Sequence, residues 1–376
     1  VDDFFFRYVA DLGNAGPDEG KGGLFLFVPP AYQGQISELY HAASSRTYGN
    51  LLMWRGFPVD GDPVPAADAL RGATQIYPFD ISLDEDFDLP ESEAEDAQAD
   101  DPPQLGGEQP TRFISLSGAS FNTIHANDFT FYEEISELVR EEPREALGPE
   151  ILGLLASIGI ESGEPFAPDE RMKAILSDAA ETANVTARAL AFRPRDSSAY
   201  LYESSGWYTP FVGASYRFLR QGARLLDART MFFYVATMTT PAMISPRAGV
   251  GSQYAFAATD SNGDYLDGGN TYRLTLPRNV PAEDFWSLVV YDPQSRSMLQ
   301  TPRSASPSLS NQLGNVARNE DGSTTLFFGP KAPEGKENNW IQTVAGKGWF
   351  TILRLYGPLE PWFDQSWRPG EIERMP

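Results

Sequence analysis

Along this chain the spacing of apolar positions changes twice. Between residues 24 and 60, short apolar runs end at turn residues: GLFLFVPP stops at two prolines and NLLMWRGFPVDGD at a cluster of Pro, Asp and Gly. Short strands separated by turns are written this way. Over 128–235 the spacing lengthens to three and four residues, in FTFYEEISELVREEP, PEILGLLASIGI, PDERMKAILSDAAETANVTARALAF and ASYRFLRQGARLLDART. That spacing keeps apolar side chains on one face of a helix, and Pro149 and Pro168 stand where helix starts tolerate proline. From 236 onward the period falls to two, in SQYAFAATD, TYRLTLP, FWSLVVYD, STTLFFG and GWFTILRLYG, separated by NG, DG and Pro-rich turns.

The pattern predicts a mainly β protein with a helical middle section. Its parts are an N-terminal β domain over 1–127, a helical connecting region over 128–235 and an antiparallel C-terminal β-sandwich or jelly-roll domain over 236–376. A chain of 376 residues exceeds what one hydrophobic core usually serves, which fits such a division. Residues 84–104, DEDFDLPESEAEDAQADDPPQ, interrupt the first part with ten acidic residues and no basic one. Such a block buries too little apolar surface to order itself, so it reads as an exposed loop or insertion.

Composition narrows the function classes. The net charge is -23 with 52 acidic against 29 basic residues, which argues against nucleic acid as a partner, because phosphate binding needs a basic footprint. The longest apolar run, MFFYVATM at 231–238, is about half a membrane span. Without cysteine there are no disulfides, thiolate metal sites or cysteine nucleophiles. The chain opens at Val1 in strand-like VDDFFFRYV with no charged-then-apolar leader, which reads as a processed or fragmentary start.

The phrases YLDGGNTYRLTLP, DFWSLVVYDPQSRSML, FFGPKAPEGKENNWIQTVAGKGWFTILRLYGPLEPWFD and WRPGEIE resemble the domain of unknown function family numbered 1214. Upstream, KGGLFLFVPPAYQGQ and SRTYGNLLMWRGFPVDGDPVPAADALRGATQIYP resemble the companion family numbered 1254. The resemblance implies two β-sandwich domains, similar to a double jelly roll, joined by helices, with further sequence before VDDFFFRYV. It favours an exported, periplasmic or envelope location and implies no reaction, since a shared fold does not fix function.

Several catalytic signatures are absent: there is no G-x-S-x-G elbow, no S-x-x-K and no phosphate-binding G-x-x-x-x-G-K-[ST], and two histidines cannot build a three-histidine zinc site. Calcium has two weak candidates. The 84–104 acids lack regular alternate spacing, and DSNGDYLDGG at 260–269 places Asp260, Asn262 and Asp264 at alternate positions but has Tyr265 where a calcium loop turns on glycine. A β-turn explains that segment as well. No cofactor is required by these patterns.

The best local chemistry lies in FNTIHANDFTFYEEI, 121–135, where His125 is followed by Asn127, Asp128, Glu133 and Glu134. An imidazole among carboxylates serves as a general base near neutral pH or completes a metal site. The competing reading makes Asn127 or Asp128 the N-cap of a helix, with Glu133 and Glu134 favouring its dipole. Likewise Trp340, Trp349 and Trp362 are either platforms for sugar rings or core anchors of a β domain. The leading expectation is an exported or envelope-associated enzyme, a hydrolase of a small or polymeric neutral substrate, with His125, Asp128 and Glu133 as its catalytic set and a small molecule or carbohydrate as the expected class of ligand. Its rival is a non-catalytic, homo-oligomeric binding or shell-type jelly-roll protein.

Overall fold

A computed structural model describes residues 1–56, 59, 62–76, 78, 79, 119, 124–244, 247–249, 251–303, 307–312 and 316–376. The acidic block 84–104 and residues 121–123 of the histidine phrase lie outside the described residues. In chain order the elements are β1 (Asp2–Asp3), β2 (Leu24–Val28), β3 (Tyr40–Ser44), β4 (Asn50–Leu51), α1 (Val64–Ala73), α2 (Thr130–Glu141), α3 (Pro149–Ala156), α4 (Glu170–Phe192), β5 (Leu219–Arg220), β6 (Ala223–Arg224) and α5 (Leu226–Val235). They continue with α6 (Pro241–Ile244), β7 (Ser252–Ala257), β8 (Tyr272–Leu276), β9 (Ala282–Tyr291), β10 (Ser308–Ser310), β11 (Thr324–Gly329), β12 (Trp340–Gln342), β13 (Phe350–Pro358), α7 (Glu360–Phe363) and β14 (Glu373–Arg374).

Two four-stranded sheets organise the C-terminal part, in the orders β10-β9-β13-β7 and β12-β11-β8-β14, and neither closes on itself. All their pairings are antiparallel except β11 with β12. In the first sheet Leu353 stands opposite both Leu288 and Ala255; in the second, Leu326 stands opposite Leu274 and Phe328 opposite Tyr272. All of these residues belong to one buried cluster, so both sheets contribute to a common core. Side chains alternate across a strand, and on β13 the alternate residues Phe350 and Ile352 enter a second cluster with Phe192 of α4 and Ala228, Met231 and Phe232 of α5. Burial on both faces accounts for the almost unbroken apolar run GWFTIL, each fully buried large side chain contributing about 1.5–3 kcal/mol.

Helix α4 starts where Asp169 accepts the N–H of Met172 at 2.7 Å, an aspartate N-cap, so Pro168 lies one residue before the cap and not in the first turn. It ends at Arg193, whose backbone leaves the helical region immediately before Pro194, because a residue preceding proline is disfavoured in the helical conformation. That stop sets Arg193 in the lining of the cavity described below.

Two local expectations change. ASYRFLRQGARLLDART is not one helix: a hairpin of β5 and β6 precedes α5. Gln221 and Gly222 at its tip both have positive φ, 50° and 81°, the geometry of a tight hairpin turn that no helix interior accepts. Helix α2 is capped at Phe129 without a side-chain bond, one residue later than expected. Asp128 still takes up the first free N–H, accepting from Thr130 N at 2.9 Å and from its hydroxyl at 2.6 Å.

The described N-terminal residues carry two small sheets, β1 with β4 antiparallel and β2 with β3 parallel. Glu142, just past α2, ties them to the helical section by accepting the N–H groups of Tyr48 at 2.6 Å and Gly49 at 2.9 Å. Among the described residues no helix is long and apolar enough to cross a membrane.

Candidate functional site

His125 faces a cation. Its Nδ1 lies 2.8 Å from Arg296 Nη2, and a guanidinium only donates, so Nδ1 accepts and the imidazole proton sits on Nε2. The ring meets Tyr234 edge-on at 5.5 Å, while the Arg296 guanidinium lies 4.8 Å over that same tyrosine. Burial first, and the Arg296 charge second, lower the proton affinity of His125 below the ordinary imidazole value. Asp128 is fully exposed and held below the usual carboxylate range by the Thr130 hydroxyl and N–H. Glu133 is exposed in the first turn of α2. Within the described residues no hydrogen bond or ion pair joins His125 to Asp128 or Glu133: the three are neighbours in sequence that the fold does not bring together as a catalytic set.

The tryptophans are interior. Trp340, Trp349 and Trp362 are 8%, 2% and 6% exposed, so none offers an open ring face. Trp340 donates its indole N–H to Gly329 O at 3.0 Å, and Trp349 packs on Phe328 and Tyr272 with ring centroids 4.8 and 5.7 Å away.

The turn at 260–264 is built around Asp260. Its Oδ1 accepts the N–H groups of Asn262 at 2.9 Å and Asp264 at 3.1 Å, its carbonyl accepts Gly263 N–H at 2.9 Å, and its own N–H donates to Asp264 O at 2.8 Å. Gly263, at φ 82°, adopts the left-handed conformation that glycine takes without penalty. An Asp that collects the following N–H groups is the ordinary organiser of such a turn. Asp260 is nevertheless only 3% exposed, and its second oxygen, Oδ2, is buried with no hydrogen-bond partner among the described residues. A buried acceptor left unpaired costs about 1–3 kcal/mol, more when charged. Among the described residues no group of three or more His, Asp or Glu is arranged to hold a metal ion.

Asp260 lines a cavity of about 630 Å³ whose other walls are the end of α4, the 197–208 segment and Glu371. This volume lies in the usual range for small-molecule sites, about 300–1,000 Å³. The sheet suspends its floor: Tyr208 and Phe256 exchange backbone hydrogen bonds at 2.9 and 2.8 Å, and fully buried Trp207 donates its indole N–H to Gly370 O at 2.8 Å. Glu371 is immobilised, accepting from Ser205 Oγ at 2.7 Å, Gly206 N at 2.9 Å and Arg368 at 3.2 Å. A Cβ at Gly206 would come within 3.2 Å of Thr259 Oγ1, a tight approach that a larger residue could make only if that hydroxyl shifted. Burial raises the affinity of the wall phenols for their protons, pushing Tyr202 up to about 12 and raising Tyr200 and Tyr208 as well, with Arg193 partly offsetting the effect at Tyr200. All three are therefore neutral hydroxyls at physiological pH. Arg193 lines the same cavity, and its side chain makes no hydrogen bond or ion pair among the described residues.

The turn signal of DSNGD was legible at 260–264, but as a loop. Arg193 carried no signal beyond its position before Pro194, and Glu371 only its place in the phrase WRPGEIE.

Residues 251–360, which include the Asp260 turn, match the family described as "Protein of unknown function (DUF1214)". No curated protein matches the chain. Among solved structures it is similar to the VPA0106 protein from Vibrio parahaemolyticus, with 15% identity, 95% of this chain and 77% of that chain covered, and a TM-score of 0.43. It is also similar to an uncharacterized protein from Burkholderia cenocepacia, with 15% identity, 66% and 48% covered, and a TM-score of 0.29. Likenesses this distant carry no inference about activity.

Proposed function

We propose that this protein binds a small polar molecule in the cavity over Asp260. The observation that carries the reading is Arg193, a guanidinium that lines the cavity and makes no hydrogen bond or ion pair among the described residues. A ligand oxygen placed there accepts from guanidinium N–H groups that the fold leaves unpaired. We locate function here rather than at His125, Asp128 and Glu133, because the imidazole faces Arg296 and Asp128 is bound to Thr130. An exported or envelope location stays part of the reading, as a cysteine-free chain allows. So does a jelly-roll-like sandwich made of the two four-stranded sheets, supported by their common core, and kinship of the N-terminal phrases with family 1254.

The test is Arg193→Gln, which removes the guanidinium charge and fork and keeps a polar side chain. Ligands found by thermal-shift screening of polar metabolites against the intact chain lose at least about tenfold in affinity in this variant. If every ligand binds both proteins equally, the site is elsewhere.

A second reading, self-association as an oligomeric building block, has one observation in its favour. Beside α1, Trp54, Ala66, Ala67 and Leu70 line an apolar groove of about 460 Å³, with Met53, Trp54 and Val64 between 43% and 58% exposed. Light scattering at neutral pH decides it: a monomer across micromolar concentrations removes this reading.

A further inference from the structure

Binding at Arg193 leaves open what carries the accepting oxygen, and the surroundings of that guanidinium narrow it. Two cavity tyrosines pin the backbone on either side of Arg193: Tyr208 donates its hydroxyl to Ala191 O at 2.8 Å, and Tyr200 donates to Pro194 O at 3.2 Å. Arg193 Nη2 lies 3.9 Å from where a Cβ on Gly263 would stand, which sets the exposed guanidinium beside the 260–264 turn. A cation anchored at its backbone has less freedom to lose when a ligand arrives. The acids of the same lining are engaged elsewhere or open to water. Asp260 Oδ1 holds the N–H groups of Asn262 and Asp264, and Oδ2 is buried. Glu371 accepts from Ser205, Gly206 and Arg368, while Glu203 is exposed to solvent.

From this setting we infer that the cavity selects a small organic monocarboxylate, its carboxylate held on the Arg193 guanidinium. The assignment rests on the cavity lined by Arg193 being the binding site. The guanidinium fork holds a carboxylate with two parallel hydrogen bonds between opposite charges. An amide or a hydroxyl offers that fork one accepting atom and no charge. The ligand's charge is single for a second reason: among the described lining residues Arg193 is the one base, against Glu203, Asp260 and Glu371. A further negative charge on the ligand meets these acids with no second cation in the lining to offset it, and like charges brought together oppose binding. The body of the ligand is organic because the partly exposed Tyr200 and Leu201 add carbon surface to the same lining, and covering such surface favours binding. Burial keeps the Tyr200 phenol neutral, so it adds no negative charge of its own.

Titration calorimetry on the intact chain at neutral pH tests the assignment. Benzoate and butyrate are the monocarboxylates, benzamide and butyramide their neutral counterparts, and succinate and inorganic phosphate the more highly charged anions, each to millimolar concentration. A monocarboxylate is expected to bind, with its amide, succinate and phosphate at least about tenfold weaker. Arg193→Gln weakens the monocarboxylate at least about tenfold, and Arg193→Lys, which keeps the charge without the fork, weakens it less. Circular dichroism shows both variants folded. Amides that bind as tightly as the acids and are weakened by Arg193→Gln overturn the carboxylate and keep the Arg193 site. Succinate or phosphate binding more tightly than either monocarboxylate also overturns the assignment. Monocarboxylate binding that Arg193→Gln leaves unchanged overturns the assignment and the Arg193 site together. If no probe binds, the monocarboxylate falls, and the Arg193 site is decided by the metabolite screen alone.

Discussion

Two acid-containing turns of this protein invite opposite readings in sequence and in space. The 125–134 stretch collects a histidine and several carboxylates within ten positions, yet its side chains diverge: His125 to Arg296 and Tyr234, Asp128 to Thr130, Glu133 to solvent. The 260–264 turn is an ordinary polar loop in sequence, yet it holds a buried carboxylate with one oxygen unmatched. Proximity along the chain is a poor guide to chemistry where side chains find local backbone partners first. Burial with an unmet hydrogen bond is a better one, because folding rarely tolerates it without a use.

The comparison breaks most readily at Trp207. It is fully buried between Gly206 and Tyr208, which line the Asp260 cavity, and belongs to the common core, so Trp207→Ala is expected to destabilise the protein by about 3–5 kcal/mol in urea unfolding. A loss near zero would detach the cavity from the core. Next comes the turn itself. Asp260→Ala removes the acceptor for two N–H groups that Asp260→Asn keeps, so Ala is expected to be less stable than Asn by about 1–2 kcal/mol. Equal stabilities would mean that Oδ1 does not organise the turn.

The histidine stretch gives a smaller, pH-dependent effect. The folded-state proton affinity of His125 is lowered, so its contribution to stability is complete above the ordinary imidazole value of 6.5 and is lost as pH falls through the folded value. NMR titration of the ring should find its midpoint below 6.5, and Arg296→Gln should move that midpoint upward. A midpoint unmoved by Arg296→Gln would remove the guanidinium as a cause. The smallest effect is expected of His125→Ala: ligand affinity at the Asp260 cavity is unchanged, and stability falls by about 1 kcal/mol or less. A large loss of binding in that variant would return function to the histidine and reverse the comparison.

Much of the fold is legible in the pattern of residues. The period-two segments from 252 onward become β7, β8, β9 and β11, because alternation matches a strand with two different faces, and GWFTILRLYG becomes β13 although that strand is buried on both faces. Pro149 opens α3 and Asp169 caps α4. The hairpin at Gln221-Gly222 escaped notice because apolar residues on both sides keep a helical spacing while two positive φ angles forbid the helix. Reading the tryptophans as core residues or as platforms needed burial, which spacing does not encode: the strands around Trp340 and Trp349 are buried on both faces, and alternation vanishes there.

By itself the sequence determined most of the C-terminal strands and the long helices, the turn chemistry of Asp260 and Gly263, the acidic charge balance and the exclusion of thiol chemistry. These follow from residue type and near neighbours, within a few positions of chain. Only the tertiary structure decided that the end of α4 lies against the 260–264 turn, that Glu371 returns to hold Ser205 and Gly206, and that His125 meets a cation. Such meetings depend on which helix covers which sheet face, a balance of apolar burial over the whole core, and no short stretch of residues contains it.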